Sequence, residues 1–271
     1  MILSDCHMHT IFSTDGISCM EDMINSAADK GLKHICFTEH NDHGAVFAEG
    51  AGAFVVDTDR YYEKYLELRE KYKDRIEILF GIEAGLQPSE TDYFNKYTRD
   101  YPFDFVIGSS HFADGIDPSL PAYYQKYSDT FTAYHAYFEA ELKCARIYSC
   151  YDSYGHLDYA LRYGPGKNSG FTYEKYADVL DELLSTIISG GKLIEVNSAG
   201  LRKGMGGPNP AISILRRYYE LGGRSVTIGS DAHRVEDVAY EFNLINDILM
   251  QIGFSSYSIF RERQEVRLPL Q

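Results

Sequence analysis

The chain has 271 residues, a net charge of −14 and an ordinary balance of apolar to charged residues. That describes a soluble globular protein with a sizeable core, and the negative charge disfavours a nucleic-acid or anionic membrane partner. Five cysteines, an odd number without any Cys-x-x-Cys, argue against a disulfide framework and for a reducing compartment. No basic region precedes an apolar stretch at the N-terminus, and no apolar run nears the ~20 residues of a membrane span. The expectation is a cytoplasmic protein.

Taken in chain order, short apolar runs alternate with longer amphipathic ones. Strands are expected over 2–7, 34–40, 76–83, 103–111, 152–156, 192–197 and 225–231. Helices are expected over 21–30, 59–73, 89–100, 130–147, 172–189, 209–221 and 235–252. Several of these end at stop signals, namely Gly31, Gly190-Gly191, Gly222-Gly223 and Gly253. Seven strands alternating with helices imply an α/β fold with a parallel sheet, and at this length a barrel is the economical closure. No linker or repeat divides the chain, so residues 1–271 read as a single domain. The tail, 257–270, alternates apolar and charged residues and predicts an extra strand or hairpin outside the barrel.

The strand ends carry the chemistry. His7 and His9 close the first strand, and an i, i+2 pair in extended chain aims both imidazoles to one side. The second strand ends in Glu39-His40, the third in Glu83, the fourth in Ser110-His111 and the fifth in Gly155-His156. The sixth leads to Asn197, and the seventh ends in Ser230-Asp231-Ala232-His233. In a parallel barrel all the carboxyl ends meet at one face. Six histidines, Glu83 and Asp231 therefore converge without being near one another in sequence. Imidazole and carboxylate without thiolate suit Zn, Mn or Fe, and so many donors suit two or three ions. Glu83 is placed to bridge two of them.

Two arginines leave the same face. Arg162 lies six residues beyond His156, and Arg202 follows the sixth strand. A guanidinium fork suits phosphate oxygens, so both are expected to bind phosphate. The Gly/Pro-rich loops 164–170 and 204–210 are expected on the same rim, as lids or anion cradles. Asp114 and Asp117 either face a cationic part of a substrate or close turns, and for Asp117 a turn is expected. His34, at the start of a strand, and His135, within a helix, read as structural. His43 is open between a substrate contact and a loop cap.

Together His7-Met8-His9, Asp15, Glu39-His40, Glu83, Ser110-His111-Phe112, Gly155-His156, Asn197 to Arg202 and Ser230-Asp231-Ala232-His233 carry a resemblance. In order and spacing the chain resembles the polymerase-and-histidinol-phosphatase (PHP) superfamily, nearest to its stand-alone histidinol-phosphatases. The resemblance implies a distorted, TIM-like (β/α)7 barrel with three divalent metal ions. His7, His9, Glu83 and Asp231 would hold one metal. Glu83 would bridge to a second, held with His111 and His156, and Asp15, His40 and His233 would hold the third. Some members have histidine where this chain has Asp15. Arg162 and Arg202 are again implied as phosphate-binding residues. Either Asp231 or His233 is placed to assist the leaving group, and since both are also ligands the acid stays open.

The implied activity is metal-dependent hydrolysis of a small phosphate monoester, L-histidinol phosphate, in histidine biosynthesis. The alternatives are the same chemistry on a nucleotide or sugar phosphate, or a non-catalytic PHP scaffold. Replacing Asp231 by Asn is expected to abolish turnover without unfolding the barrel. Phosphate release and the far-UV circular dichroism spectrum of Asp231→Asn check the two halves of that statement.

Overall fold

The computed structural model describes residues 1–271, apart from the side chains of residues 168 and 169. The lid or cradle expected over 164–170 falls partly on those two. Each expected barrel strand forms. They are β1 (Ser4–Asp5), β2 (His34–Asn41), β3 (Glu77–Gly85), β4 (Phe105–Ser109), β5 (Ser153–Tyr154), β6 (Leu193–Asn197) and β7 (Thr227–Gly229). All neighbours pair parallel, in chain order. The apolar run in each strand is buried on both sides, as parallel strands between a core and covering helices require.

The sheet curls until its edges meet. Cys6 N–H donates to the Ile228 carbonyl (2.9 Å), Asp231 N–H to that of His7 (2.8 Å) and His9 N–H to that of Ala232 (2.8 Å). A buried carboxylate pins the seam. Asp5 accepts from Ser230 N–H (2.9 Å), Ser230 Oγ (2.5 Å) and Ala239 N–H (2.9 Å). Gly229 lets the edges approach, because a Cβ there would lie 2.2 Å from Cβ of His7. The result is a nearly closed, distorted (β/α)7 barrel of the TIM-like class.

The helices start where local chemistry caps them. Asp57 caps Thr58–Tyr72 by accepting from Arg60 N–H (3.3 Å), and Asp129 caps Thr130–Ile147 by accepting from Thr132 N–H (2.7 Å). The expected helices over 89–100 and 172–189 each begin with a tighter 3₁₀ turn, so their α-helical parts are Thr91–Asp100 and Ala177–Ser189. The one over 235–252 is broken at 238–241, where Ala239 and Glu241 take positive φ, and is α-helical over Phe242–Ile252. A two-residue ribbon, Val46–Phe47 with Gly50–Ala51, was not anticipated. Among the described residues no helix is long and apolar enough to cross a membrane.

The tail forms an antiparallel hairpin, β8 (Ser256–Arg261) and β9 (Gln264–Pro269), lying across the amino ends of the strands. Ser258 N–H donates to the Val226 carbonyl (2.8 Å), and Arg263 N–H to that of Asp104 (2.9 Å). Arg261 holds Glu77 through two bonds (2.7 and 2.6 Å), and Arg263 holds Asp152 likewise (2.5 and 3.0 Å). His34 joins Glu77 at this end (2.6 Å), far from the strands' carboxyl ends.

Asp5→Ala leaves the Ser230 and Ala239 donors buried without acceptors. It is expected to destabilise the fold by roughly 2–5 kcal/mol. Urea unfolding with an unchanged m-value measures the loss.

Candidate metal centre

The carboxyl ends of β1, β2 and β3, with the turns just after β4, β5 and β7, bring the nine sequence-predicted donors together. Glu83 sits at the centre, sealed from solvent. Its Oε1 lies 2.9 Å from His156 Nε2 and 3.3 Å from His111 Nε2, and it accepts from Ser109 Oγ (2.7 Å). Its Oε2 lies 3.0 Å from His40 Nδ1, 3.3 Å from His7 Nε2 and 3.4 Å from His9 Nε2. Asp231 Oδ1 faces His7, His9 and His233 at 3.7–3.8 Å. Asp15 closes the solvent side, 3.0 Å from His233 Nε2 and 3.7 Å from His40 Nε2.

These side chains fit divalent metal better than they fit one another. Nε2 of His7 and His9 stand 3.0 Å apart, both pointing into the cluster. Glu83 Oε2, His40 Nδ1 and His156 Nδ1 are buried without a hydrogen-bond partner. Four triads place one donor atom per residue within 4.8 Å of each other. They are His7/His9/Asp231, His7/Glu83/His156, His40/Glu83/His111 and His9/His40/His233. Shared members tie the triads into one extended centre, and its hard and borderline donors suit Zn, Mn or Fe.

The backbone is strained where it delivers two of these groups. His156 has φ 22° and Asp231 φ 55°, both in the left-handed region. Each is braced. Glu195 Oε2 accepts the His156 N–H (2.9 Å). Arg202 donates to the carbonyls of Ser230 (3.1 Å) and Asp231 (3.0 Å) and pairs with Asp237 (3.2 Å). The structure thus uses the Arg202 guanidinium to hold the Asp231 turn. Arg162 is buried, with Nε on Asn209 (2.7 Å), Nη1 on Asp231 Oδ2 (3.1 Å) and Nη2 unpartnered. Asp158 fixes Asn209 in turn (2.6 Å).

A cavity of about 360 Å³ opens onto the centre. Asp15, His40, Glu83, His111, His156, Asp231 and His233 form its floor. Phe47, Phe54, Phe112, Tyr159 and Tyr163 form its walls, with Glu49, Asp117 and Lys203 around them. Phe47 packs against Phe54 and Phe112, with ring centroids at 4.3 and 4.8 Å. Asp117 accepts from Ser119 N–H (2.7 Å) and Oγ (2.6 Å), which closes a turn as expected. His43 stacks on Tyr93 and pairs with Glu90 (2.6 Å), outside the cavity lining. His135 is near Asp178 on the outer surface.

Three buried acids near the donors went unassigned in the sequence. Glu39 accepts from Thr10 N–H (3.1 Å), Thr10 Oγ1 (2.6 Å) and Ser13 Oγ (2.6 Å), and so shapes the turn after His9. Asp42 and Glu195 stand behind His111 and His7. Parity along a strand was the available signal, since Asp42 is two beyond His40 and Glu195 two before Asn197.

An α/β barrel whose strand ends converge on imidazoles and carboxylates beside an anion-sized cavity is a metal-dependent hydrolase. Residues 5–199 match the PHP domain model, and the chain belongs to the PHP family. It is 35% identical over 260 residues to a probable histidinol-phosphatase of Clostridium acetobutylicum, covering 96% of this chain and 97% of that one. It is 29% identical over 258 residues to a histidinol-phosphatase of Lactococcus lactis, covering 94% and 93%. A solved structure of the Lactococcus lactis histidinol phosphate phosphatase, complexed with zinc, L-histidinol and phosphate, superposes with a TM-score of 0.86. That match is at 26% identity and covers 97% of this chain and 98% of the other.

The charge balance gives the metal-free protein a pH signature. Burial lowers the pKa of His7, His40 and His111, but the carboxylates of Glu195, Glu83, Asp231, Asp15 and Asp42 outweigh it and hold all three well above the usual range. Burial likewise raises Glu83 and Asp231, and the facing imidazoles, with Arg162 for Asp231, hold them well below theirs. Burial and the neighbouring His40 and His233 hold His9 low. A raised imidazole stabilises the fold below its unfolded pKa of about 6.5, and that stability is lost as pH rises through the folded value. The Tm of chelator-stripped protein is therefore expected to fall from about pH 6 to about pH 9. Stabilisation by added Zn²⁺ should grow over the same range, because metal must displace those protons. Scanning calorimetry reads both.

Proposed function

We propose that this chain is a histidinol-phosphatase, hydrolysing L-histidinol phosphate to L-histidinol and phosphate. The observation that carries the reading is a nine-residue cluster of imidazoles and carboxylates, seven of which form the floor of an aromatic, acidic cavity. The relatives carry this name, and the solved relative was complexed with zinc and both products.

In this reading His7, His9, Glu83 and Asp231 hold one divalent ion, Glu83, His111 and His156 a second, and Asp15, His40 and His233 a third. When bound, the ions supply Lewis acidity toward the phosphoryl oxygens and the attacking water. The residues of the chain do the rest. Arg162 is fixed by Asn209 and Asp231, which leaves Nη2 as a preorganised donor for a phosphoryl oxygen. Asp231 keeps Oδ2 on Arg162, and its Oδ1 would take the proton of the attacking water and pass it to the leaving alkoxide oxygen. His233 keeps Nδ1 on the Asp231 carbonyl (3.0 Å) and Nε2 facing Asp15, so the proton carrier is Asp231. Arg202 braces the turn that carries Asp231 and Lys203 presents its ammonium to the cavity, an assignment that moves Arg202 from phosphate contact to support. The phenyl and phenol walls, with Glu49 beside them, suit the imidazole and ammonium of histidinol.

Residues 1–271 act as one domain in this reading, since the tail hairpin is bonded to the barrel strands. The five cysteines are all free, which suits the cytoplasm.

A panel of phosphate monoesters tests the substrate. The highest kcat/KM is expected for L-histidinol phosphate, with chelation abolishing turnover and Zn²⁺ or Mn²⁺ restoring it. Arg162→Ala is expected to lower kcat/KM by roughly 10²–10³-fold. A preference for a nucleotide or sugar phosphate would sink the substrate and leave the metal-dependent phosphatase standing.

A further inference from the structure

Two buried carboxylates outside the nine-residue cluster back two of its imidazoles. Glu195, on β6, places Oε1 2.6 Å from His7 Nδ1. Its other oxygen accepts the His156 N–H (2.9 Å) and Asn197 Nδ2 (3.1 Å). Asp42, just beyond β2, places Oδ1 2.8 Å from His111 Nδ1. The barrel keeps space for both. A Cβ on Gly229 would lie 2.5 Å from Glu195 Oε1, and one on Gly85 would lie 1.9 Å from Asp42 Oδ1.

A neutral imidazole has one N–H and one lone pair. A carboxylate at Nδ1 takes the N–H, so the lone pair moves to Nε2. The two Nε2 atoms then converge on Glu83, His7 at 3.3 Å from Oε2 and His111 at 3.3 Å from Oε1. The other imidazoles of the cluster are steered less firmly. His9 Nδ1 is 3.4 Å from Ser13 Oγ, and His233 Nδ1 donates to a carbonyl.

We propose that Glu195 and Asp42 are positioning residues that fix His7 and His111 as Nε2-presenting ligands on the two sides of Glu83. Glu195 does a second task with the same side chain, holding the His156 backbone in its left-handed conformation. Both act through other residues and touch no substrate. The inference rests on the reading of the cluster as a metal centre.

Zinc affinity, measured by competition with a chromophoric chelator, tests this alongside the Tm of stripped protein. Glu195→Ala and Asp42→Ala are each expected to bind Zn²⁺ about 10–100-fold more weakly. Asp42→Asn should recover most of the loss, because its amide oxygen still accepts the Nδ1–H. Histidine-selective ¹⁵N spectra of the zinc-loaded wild type should show Nδ1–H and metal-bound Nε2 for both His7 and His111. Alanine variants with wild-type zinc affinity, even at lowered Tm, would reduce the two acids to structural parts and overturn the proposal. So would a metal-bound Nδ1 at either histidine, and the spectra decide this even where a variant fails to fold. A wild type that binds no zinc defeats the metal reading itself and this inference with it.

Discussion

A carboxylate shut away from water governs this structure. Glu83 has no exposure, yet five imidazole nitrogens stand within 3.4 Å of its two oxygens. An isolated carboxylate in such a place costs several kcal/mol, and only dense cationic or hydrogen-bonded company offsets that. The company comes from the first, second, fourth and fifth strands. A closed barrel is the arrangement that delivers it, since the donors are spread along the chain from His7 to His156. The Asp5 seam is therefore part of the site's construction, because it brings β1, with its two imidazoles, against β7 and Asp231.

The centre is held under tension. His156 and Asp231 both enter it through left-handed backbone, and each has a dedicated brace in Glu195 or Arg202. Strain of this sort persists only where the surroundings over-determine it. Behind Asp231 runs a longer support: Asp158 holds Asn209, Asn209 holds Arg162, and Arg162 holds Asp231. Burial pushes the Asp158 carboxyl up to about 6, against its bonds to Asn209 and Ala211. The chain thus spends three buried polar residues on the placement of one oxygen.

The barrel was legible in the sequence because each strand announces itself as a short apolar run, and its helices because amphipathic runs end at glycines. The donor set was legible for a related reason. A polar residue at the end of a buried strand has few structural uses, and seven such ends in one chain reinforce one another. The supports were not legible. Parity puts Glu195 and Asp42 on the site's face, but which imidazole each meets depends on the register of neighbouring strands, which is fixed only when the sheet closes. Arg202 shows a different limit. Its distance from the site was readable, but whether its fork meets an anion or the carbonyls of a strained turn depends on the path of a loop. The ribbon at Val46–Phe47 and Gly50–Ala51 is two residues deep, too short for any periodicity to register.

The hairpin at the chain's end gives the barrel one further property. It lies over the amino ends of the strands, tied by Arg261 to Glu77 and by Arg263 to Asp152. Behind it Phe105 stacks on Phe260 of the hairpin, and Ile107 and Thr227, on the inward-facing register of their strands, are buried. Among the described residues, the cavity over the centre is thus walled by the aromatic side chains at the carboxyl end of the barrel. The alcohol and the phosphate must leave past the same aromatic walls by which the ester arrived. Either product held on the floor of the cavity occupies the place of the next ester.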